Sequence, residues 1–335
     1  MSSSPTQTPS HITVLGAGSW GTALAILLAR NGQQVSLWGR NNEQLQTMAH
    51  EQCNRFYLPD TPFPNNLQAE PDFTQSLAQA DYILIAVPSS GFRELLEKIK
   101  PLNKPIIWAS KGIEPGSNLL LHTVITDVLG THYPAALLSG PSFAREVAEG
   151  LPTAVVIASA DNTYAEQVIN LFANAHFRPY YSADMIGAEV GGAVKNVLAI
   201  AAGISDGLGF GANARSALIT RGLNEITQLG AALGAQANTF MGLSGLGDLV
   251  LTCTDNLSRN RRFGLALGKG QTAEQAFSEI GQVVEGAENV QQVHALAQQF
   301  GLALPICEHV YQVLNHSMTP LAAVESLFSR DLKAE

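Results

Sequence analysis

Short apolar runs alternate with stretches of helical spacing through the first half of the chain. Ile12 to Leu15, Gln34 to Trp38, Tyr82 to Val87, Ile106 to Ala109, Ala136 to Leu138, Ala154 to Ile157 and Phe177 to Tyr181 read as strands. Thr22 to Arg30 instead repeats its apolar residues at helical intervals. Strands that are apolar along their whole length belong to sheets covered on both faces, and strands separated by helices pair in parallel. The pattern therefore predicts an α/β domain, a parallel sheet between helices, over residues 11–188. Past about Asp184 the strand-like runs give way to long helical stretches rich in Ala, Gly and Leu, beginning with Glu189 to Ile204. An all-helical second domain over 189–335 is expected. The Pro-rich stretch Pro59 to Pro71 reads as an irregular surface loop.

Composition narrows the class. Of 335 residues 46% are apolar and 14% charged, which excludes a disordered chain. The 28 acidic residues outnumber 19 Lys and Arg, for a net charge of −9. That balance disfavours a nucleic-acid surface or a polybasic membrane anchor. The most apolar run, Ala193 to Ile204, is interrupted by Lys195 and Asn196, so no membrane insertion is expected. Met1 to Ser10 is a polar stretch without the basic start and apolar core of a signal peptide. Cys53, Cys253 and Cys307 are far apart and suit reduced thiols in a cytoplasmic protein. The eight histidines lack ligand spacing, so no metal is expected.

Between the first strand and the first helix stands Gly16-Ala17-Gly18-Ser19-Trp20-Gly21. Gly-x-Gly-x-x-Gly in that context is a dinucleotide turn: Gly16 for the bend, Gly18 for approach of a pyrophosphate, Gly21 for packing of helix on strand. The helix start beyond it offers N–H donors to phosphate. The first domain is accordingly Rossmann-type. An acid at the end of the second strand would select NAD, but that strand ends Trp38-Gly39-Arg40-Asn41. Arg40 suits a 2′-phosphate, so NADP is favoured while NAD stays open. Other strands end at Ser110-Lys111-Gly112 and Ser139-Gly140-Pro141-Ser142, facing the same crevice. Lys111 is a candidate ligand contact; Ser142 either caps the next helix or turns to an anion.

Two features of the second half carry chemistry. Lys195 lies among small apolar residues in Gly191-Gly192-Ala193-Val194-Lys195-Asn196, where desolvation would lower its pKa toward that of a proton donor and acceptor. The alternative is a lysine that snorkels to the surface. A Gly-rich turn presents Asp248, and Ser258-Arg259-Asn260-Arg261-Arg262 crowds three arginines into four positions. An anionic ligand would offset that repulsion, with Arg259 bidentate to a phosphate and Ser258 and Asn260 donating. A solvated basic helix face is the plainer reading of Arg261 and Arg262. The glycines at 191, 192, 245 and 247 would let backbone lie close to a small substrate.

In order along the chain, the motifs resemble those of the bacterial NAD(P)-dependent sn-glycerol-3-phosphate dehydrogenases. The match runs from the glycine turn through Ser110-Lys111-Gly112, Ser139 to Ala144, Lys195-Asn196, Gly245 to Leu249 and Ser258-Arg259-Asn260 to Val283-Val284-Glu285-Gly286. The resemblance implies reversible reduction of dihydroxyacetone phosphate to sn-glycerol 3-phosphate for phospholipid synthesis, by a homodimer. It implies Lys195 as the catalytic acid/base, with Lys111, Gly140, Ser142, Asp248, Ser258, Arg259 and Asn260 around the substrate. For the coenzyme it implies Ser19, Trp20, Arg40, Tyr57, Lys111, Ala144, Arg259, Val283 and Glu285. Two other readings are a β-hydroxyacid or phosphogluconate-type dehydrogenase and a non-catalytic NAD(P)-sensing regulator. The first leaves the Ser258 to Asn260 cluster unused, the second leaves Lys195 unused.

Overall fold

The computed structural model describes residues 9–329; Met1 to Thr8 of the polar stretch and the last six residues of the expected second domain lie outside them. Eight strands form one sheet: β1 (His11–Leu15), β2 (Gln34–Trp38), β3 (Leu67–Ala69), β4 (Tyr82–Ile85), β5 (Ile106–Trp108), β6 (Ala135–Ser139), β7 (Thr153–Ala158) and β8 (Phe177–Ser182). Their order is β3-β2-β1-β4-β5-β6-β7-β8. The chain leaves β1 on both sides, and ligands of such sheets bind at that reversal, beyond the carboxyl ends of the strands. Buried apolar side chains pack on both faces, Leu24 and Leu28 on one and Leu96 and Val124 on the other.

Two expectations change. Leu67 to Ala69, inside the stretch read as loop, pairs in parallel with Val35 to Leu37. Leu67 and Ala69 are buried and Gln68 exposed, so three residues suffice for an edge strand. The sheet is also not parallel throughout, because β6 and β7 are antiparallel. The connection over residues 140–152 holds one short helix, Ala144–Glu149, and does not carry the chain back along β6. The chain therefore re-enters the sheet from the same end. β8 then pairs in parallel with β7 and forms the outer edge, where Pro179 is tolerated.

The helical part is organised on Met185–Gly207, a 23-residue helix buried at every position from Gly187 to Ser205. It is apolar and long enough to cross a membrane, yet 89% of its most apolar window is buried inside the protein, as a core helix would be. Asp184 caps its start, accepting from Gly187 N at 2.9 Å and from Gln236 N and Thr239 Oγ1. Ser139 Oγ donates to Ala188 O at 3.2 Å and His122 N to Glu189 Oε1 at 2.9 Å, which fixes the helix against the sheet domain. Farther along, Gly203 and Gly207 face Gly264 and Gly268 of the Arg259–Gly268 helix at backbone contact. A Cβ at Gly203 would overlap the Arg261 carbonyl oxygen. Gly203→Ala is therefore expected to destabilise the protein by about 1–3 kcal/mol, as overpacking does, read as a lower urea midpoint at an unchanged slope.

Candidate functional site

The glycine turn lies where β1 meets the Ser19–Arg30 helix. Gly16 has φ +126°, and a Cβ there would press on the Ala86 carbonyl oxygen at 2.5 Å, so only glycine fits. Gly21 touches the Gly16 carbonyl from the first helical turn. A Cβ on Gly18, by contrast, would meet nothing within 4 Å: the backbone there borders open space. That space is a cavity of about 440 Å³ running from Gly16 and Gly18 past Arg40 and Gln44 to Val283 and Glu285. A second, of about 310 Å³, adjoins it, with Ser19, Trp20, Tyr57, Arg259 and Glu285 on the walls of both. The Trp20 indole N–H is buried and has no partner among the described residues. An open glycine cradle, a helix start and an orphaned donor together fit a dinucleotide.

Beneath the second cavity sits a charged cluster. Asp248, 1% exposed, opens the Asp248–Thr254 helix after a single π-helical turn, Leu243–Gly247. Its Oδ1 accepts from Lys195 Nζ, and its Oδ2 accepts from Lys111 Nζ at 2.7 Å. Lys195 also donates to Thr252 Oγ1 at 2.9 Å, and Lys111 to the Gly140 carbonyl at 3.2 Å. Burial pushes the Lys195 ammonium down to about 8; the Asp248 carboxylate opposes that shift and the Lys111 charge adds to it. Burial alone would raise Asp248, but the two ammonium groups outweigh it and hold the carboxyl below its ordinary value. A lysine so placed exchanges its proton near neutrality. Gly192 leaves room for the Lys111 stem, with a would-be Cβ 3.6 Å from its Cγ. Gly191 admits the Ser244 carbonyl and Gly245 the Phe240 backbone, so these glycines seat protein on protein and are not a substrate cradle.

The arginine cluster separates on folding. Ser258 caps the Arg259–Gly268 helix, its Oγ accepting from Arg261 N at 3.2 Å. Arg259 lines both cavities and Arg262 the smaller one, and neither side chain has a hydrogen bond or ion pair among the described residues. Arg261 turns inward, 8% exposed, and pairs with Asp206 and Asn256. It is neither an anion ligand nor part of a solvated face. Asn260 donates to Asn196 Oδ1 at 3.0 Å and accepts from Gly286 N at 2.8 Å, while Asn196 donates to Glu285 Oε2 at 3.0 Å. This chain of amides locks Glu285 at the junction of the cavities.

Family models describe the same chain in two parts. Residues 11–165 match the N-terminus of NAD-dependent glycerol-3-phosphate dehydrogenase and residues 184–325 its C-terminus. The chain belongs to the NAD-dependent glycerol-3-phosphate dehydrogenase family. It is 55% identical over 328 residues to glycerol-3-phosphate dehydrogenase [NAD(P)+] of Actinobacillus pleuropneumoniae serotype 5b, covering 97% of this chain and 98% of that protein. The Aeromonas salmonicida protein of the same name is 54% identical with the same coverage. A crystal structure of glycerol-3-phosphate dehydrogenase from Coxiella burnetii superposes with a TM-score of 0.93 at 49% identity, over 96% of this chain and 99% of that one.

In this glycerol-3-phosphate dehydrogenase family member, most residues singled out from the sequence share the two cavities. Ser19, Trp20, Tyr57, Lys111, Ser142, Ala144, Lys195, Ser258, Arg259, Asn260 and Glu285 line the smaller; Gly16, Gly18, Arg40 and Val283 line the larger. Gly21, Gly140 and Asp248 stand behind the walls. Ser142 does not cap its helix but donates to the Gly140 carbonyl at 3.1 Å. Thr252 was missed, although it lies four residues after Asp248 and a helix places those positions on one face. Gln282, Leu257 and Phe143 carry no sequence signal; they line the cavity through loop geometry alone.

Proposed function

We propose that this chain reversibly reduces dihydroxyacetone phosphate to sn-glycerol 3-phosphate with NADPH or NADH, in the cytoplasm, supplying glycerophospholipid synthesis. One observation carries the reading. At the inner end of a dinucleotide cavity, a desolvated lysine and an arginine with no protein partner among the described residues line one small chamber. Those are a proton donor for a ketone and a cation for its phosphate. The family relationship supports the same substrate. The buried free thiols of Cys53, Cys253 and Cys307 support a reducing compartment, and the family resemblance supports a homodimer, which sedimentation tests directly.

The glycine turn and the start of the Ser19–Arg30 helix would hold the coenzyme's pyrophosphate, Arg40 would hold the adenosine ribose, and Val283 and Glu285 would hold the nicotinamide end. When bound, the reduced nicotinamide supplies the hydride for the C2 carbonyl carbon of the substrate. Lys195 gives its proton to the developing alkoxide oxygen and takes one back in the reverse direction. Asp248 holds the Lys195 ammonium in place, and Thr252 fixes a second direction of the same group. Lys111, anchored on the other carboxylate oxygen, keeps positive charge beside the oxygen as it becomes negative. Arg259 and the Ser258 hydroxyl bind the phosphate, and that remote binding orients the carbonyl.

Arg259→Ala is expected to raise KM for dihydroxyacetone phosphate about 30-fold, the loss of one charge-assisted contact of about 2 kcal/mol. Steady-state rates with dihydroxyacetone phosphate and with dihydroxyacetone measure it: the preference for the phosphorylated ketone should shrink in the variant. An undiminished preference would remove Arg259 from the phosphate site.

A further inference from the structure

The end of β2 carries no acid, yet besides Glu285 the larger cavity has another. Glu94 lies on the Phe92–Ile99 helix that follows β4 and lines the cavity together with Arg40, Asn41 and Gln44. One helical turn later Lys98 lines it as well, its ammonium donating to Glu94 Oε1 at 2.6 Å. That bond first, and the charge of Arg40 more weakly, hold the Glu94 carboxyl below its ordinary value. Both side chains are more than half exposed, 54% for Lys98 and 71% for Glu94, and exposed pairs of this kind are weak. The ammonium is therefore free to change partners at little cost. Among the described residues Arg40 has no ion-pair partner at close range, so besides Arg259 and Glu285 the cavity lining brings together two available cations, Arg40 and Lys98, and one carboxylate, Glu94.

We propose that Glu94 and Lys98 are the coenzyme-selecting pair of this cavity. With a 2′-phosphate present, Lys98 leaves Glu94 and joins Arg40 on the phosphate. With a free 2′-hydroxyl, Lys98 stays on one carboxylate oxygen of Glu94 and the other accepts the hydroxyl's hydrogen bond. Glu94 thereby does from a different element what an acid at the end of β2 does in an NAD-selective site, and its charge opposes the phosphate. One sheet position lacking an acid and one helix supplying it give a cavity that serves both coenzymes. The inference rests on the placement of the adenosine ribose beside Arg40.

Calorimetric binding of 2′,5′-ADP and of 5′-AMP tests it, since the two probes differ only in that phosphate. The affinity ratio of the first to the second should rise about 5-fold in Glu94→Gln and fall by a similar factor in Lys98→Met. The ratio of kcat/KM for NADPH to that for NADH should follow. Arg40→Ala should lower the affinity ratio too. If Glu94→Gln and Lys98→Met both keep the wild-type ratio, or move it the same way, while Arg40→Ala lowers it, the selecting pair is refuted and the ribose placement stands. If all three variants leave the ratio unchanged, the ribose placement falls with it.

Discussion

Replacing Lys195 with Ala is expected to lower kcat for dihydroxyacetone phosphate reduction by roughly three orders of magnitude, the usual worth of a positioned general acid. The expectation rests on geometry as much as on residue type. Lys195 is 6% exposed, held by Asp248 and Thr252, and borders the chamber that Arg259 also lines. Its pKa of about 8 gives the wild-type enzyme a signed pH dependence. Carbonyl reduction needs the ammonium, so its rate is full below that value and falls as pH rises through it. Alcohol oxidation needs the neutral amine, so its rate climbs through the same range. NADPH absorbance, lost in reduction and gained in oxidation, followed across pH for wild type and Lys195→Ala, checks both statements. The variant should lose the rate and this pH limb together, with NADPH binding retained by fluorescence titration. A variant that keeps the wild-type rate, or the same limb, would exclude Lys195 as the proton donor.

Asp248→Asn should damage both fold and catalysis. The carboxylate is the common partner of two ammonium groups in a buried site, and removing one member of a buried ion pair costs about 3–5 kcal/mol. An amide fills the same volume but cannot balance two positive charges. The folded protein relieves the repulsion by releasing the Lys195 proton, so the catalytic limb near 8 should move to lower pH. The stability deficit should also shrink as pH rises. Between the lowered limb and about 8 the variant's folded lysine is already neutral while the wild-type one is not, so unfolding takes up a proton in the variant alone and is disfavoured there as pH climbs. Urea denaturation at several pH values, together with the pH profile of reduction, measures both effects. A variant with wild-type stability and an unmoved limb would show that Asp248 is not the group that sets the charge of Lys195.

These two residues also mark how far the sequence could be read. Lys195 stood out because a lysine flanked by glycines and small apolar residues has no inexpensive exit to solvent. Asp248 was legible only as an acid on a Gly-rich turn; that it would join Lys111 to Lys195 depends on three segments meeting across 53 and 137 positions of chain. Arg261 was misread in the same way. Beside Arg259 and Arg262 in sequence it looked like one of three equivalent cations, yet a helix sends neighbouring positions to different faces and the Asp206 side of this one is buried.

Local chemistry that acts over a few residues was therefore fixed in advance. The period of apolar positions determined the sheet domain and the helical region, and Gly16, Gly18 and Gly21 determined a dinucleotide turn, because hydrophobic spacing and backbone sterics need only near neighbours. Tertiary structure alone decided what depends on distant segments meeting. It reversed β7 against β6, and turned Leu67 to Ala69 into a strand because β2 offered a free edge. It set Gly203 and Gly207 against Gly264 and Gly268, closing two helices onto each other. It placed one carboxylate between two lysines and brought Glu94 to a cavity whose own strand end has no acid. Charge pairing and close packing are settled by proximity in space, which spacing along a chain does not encode.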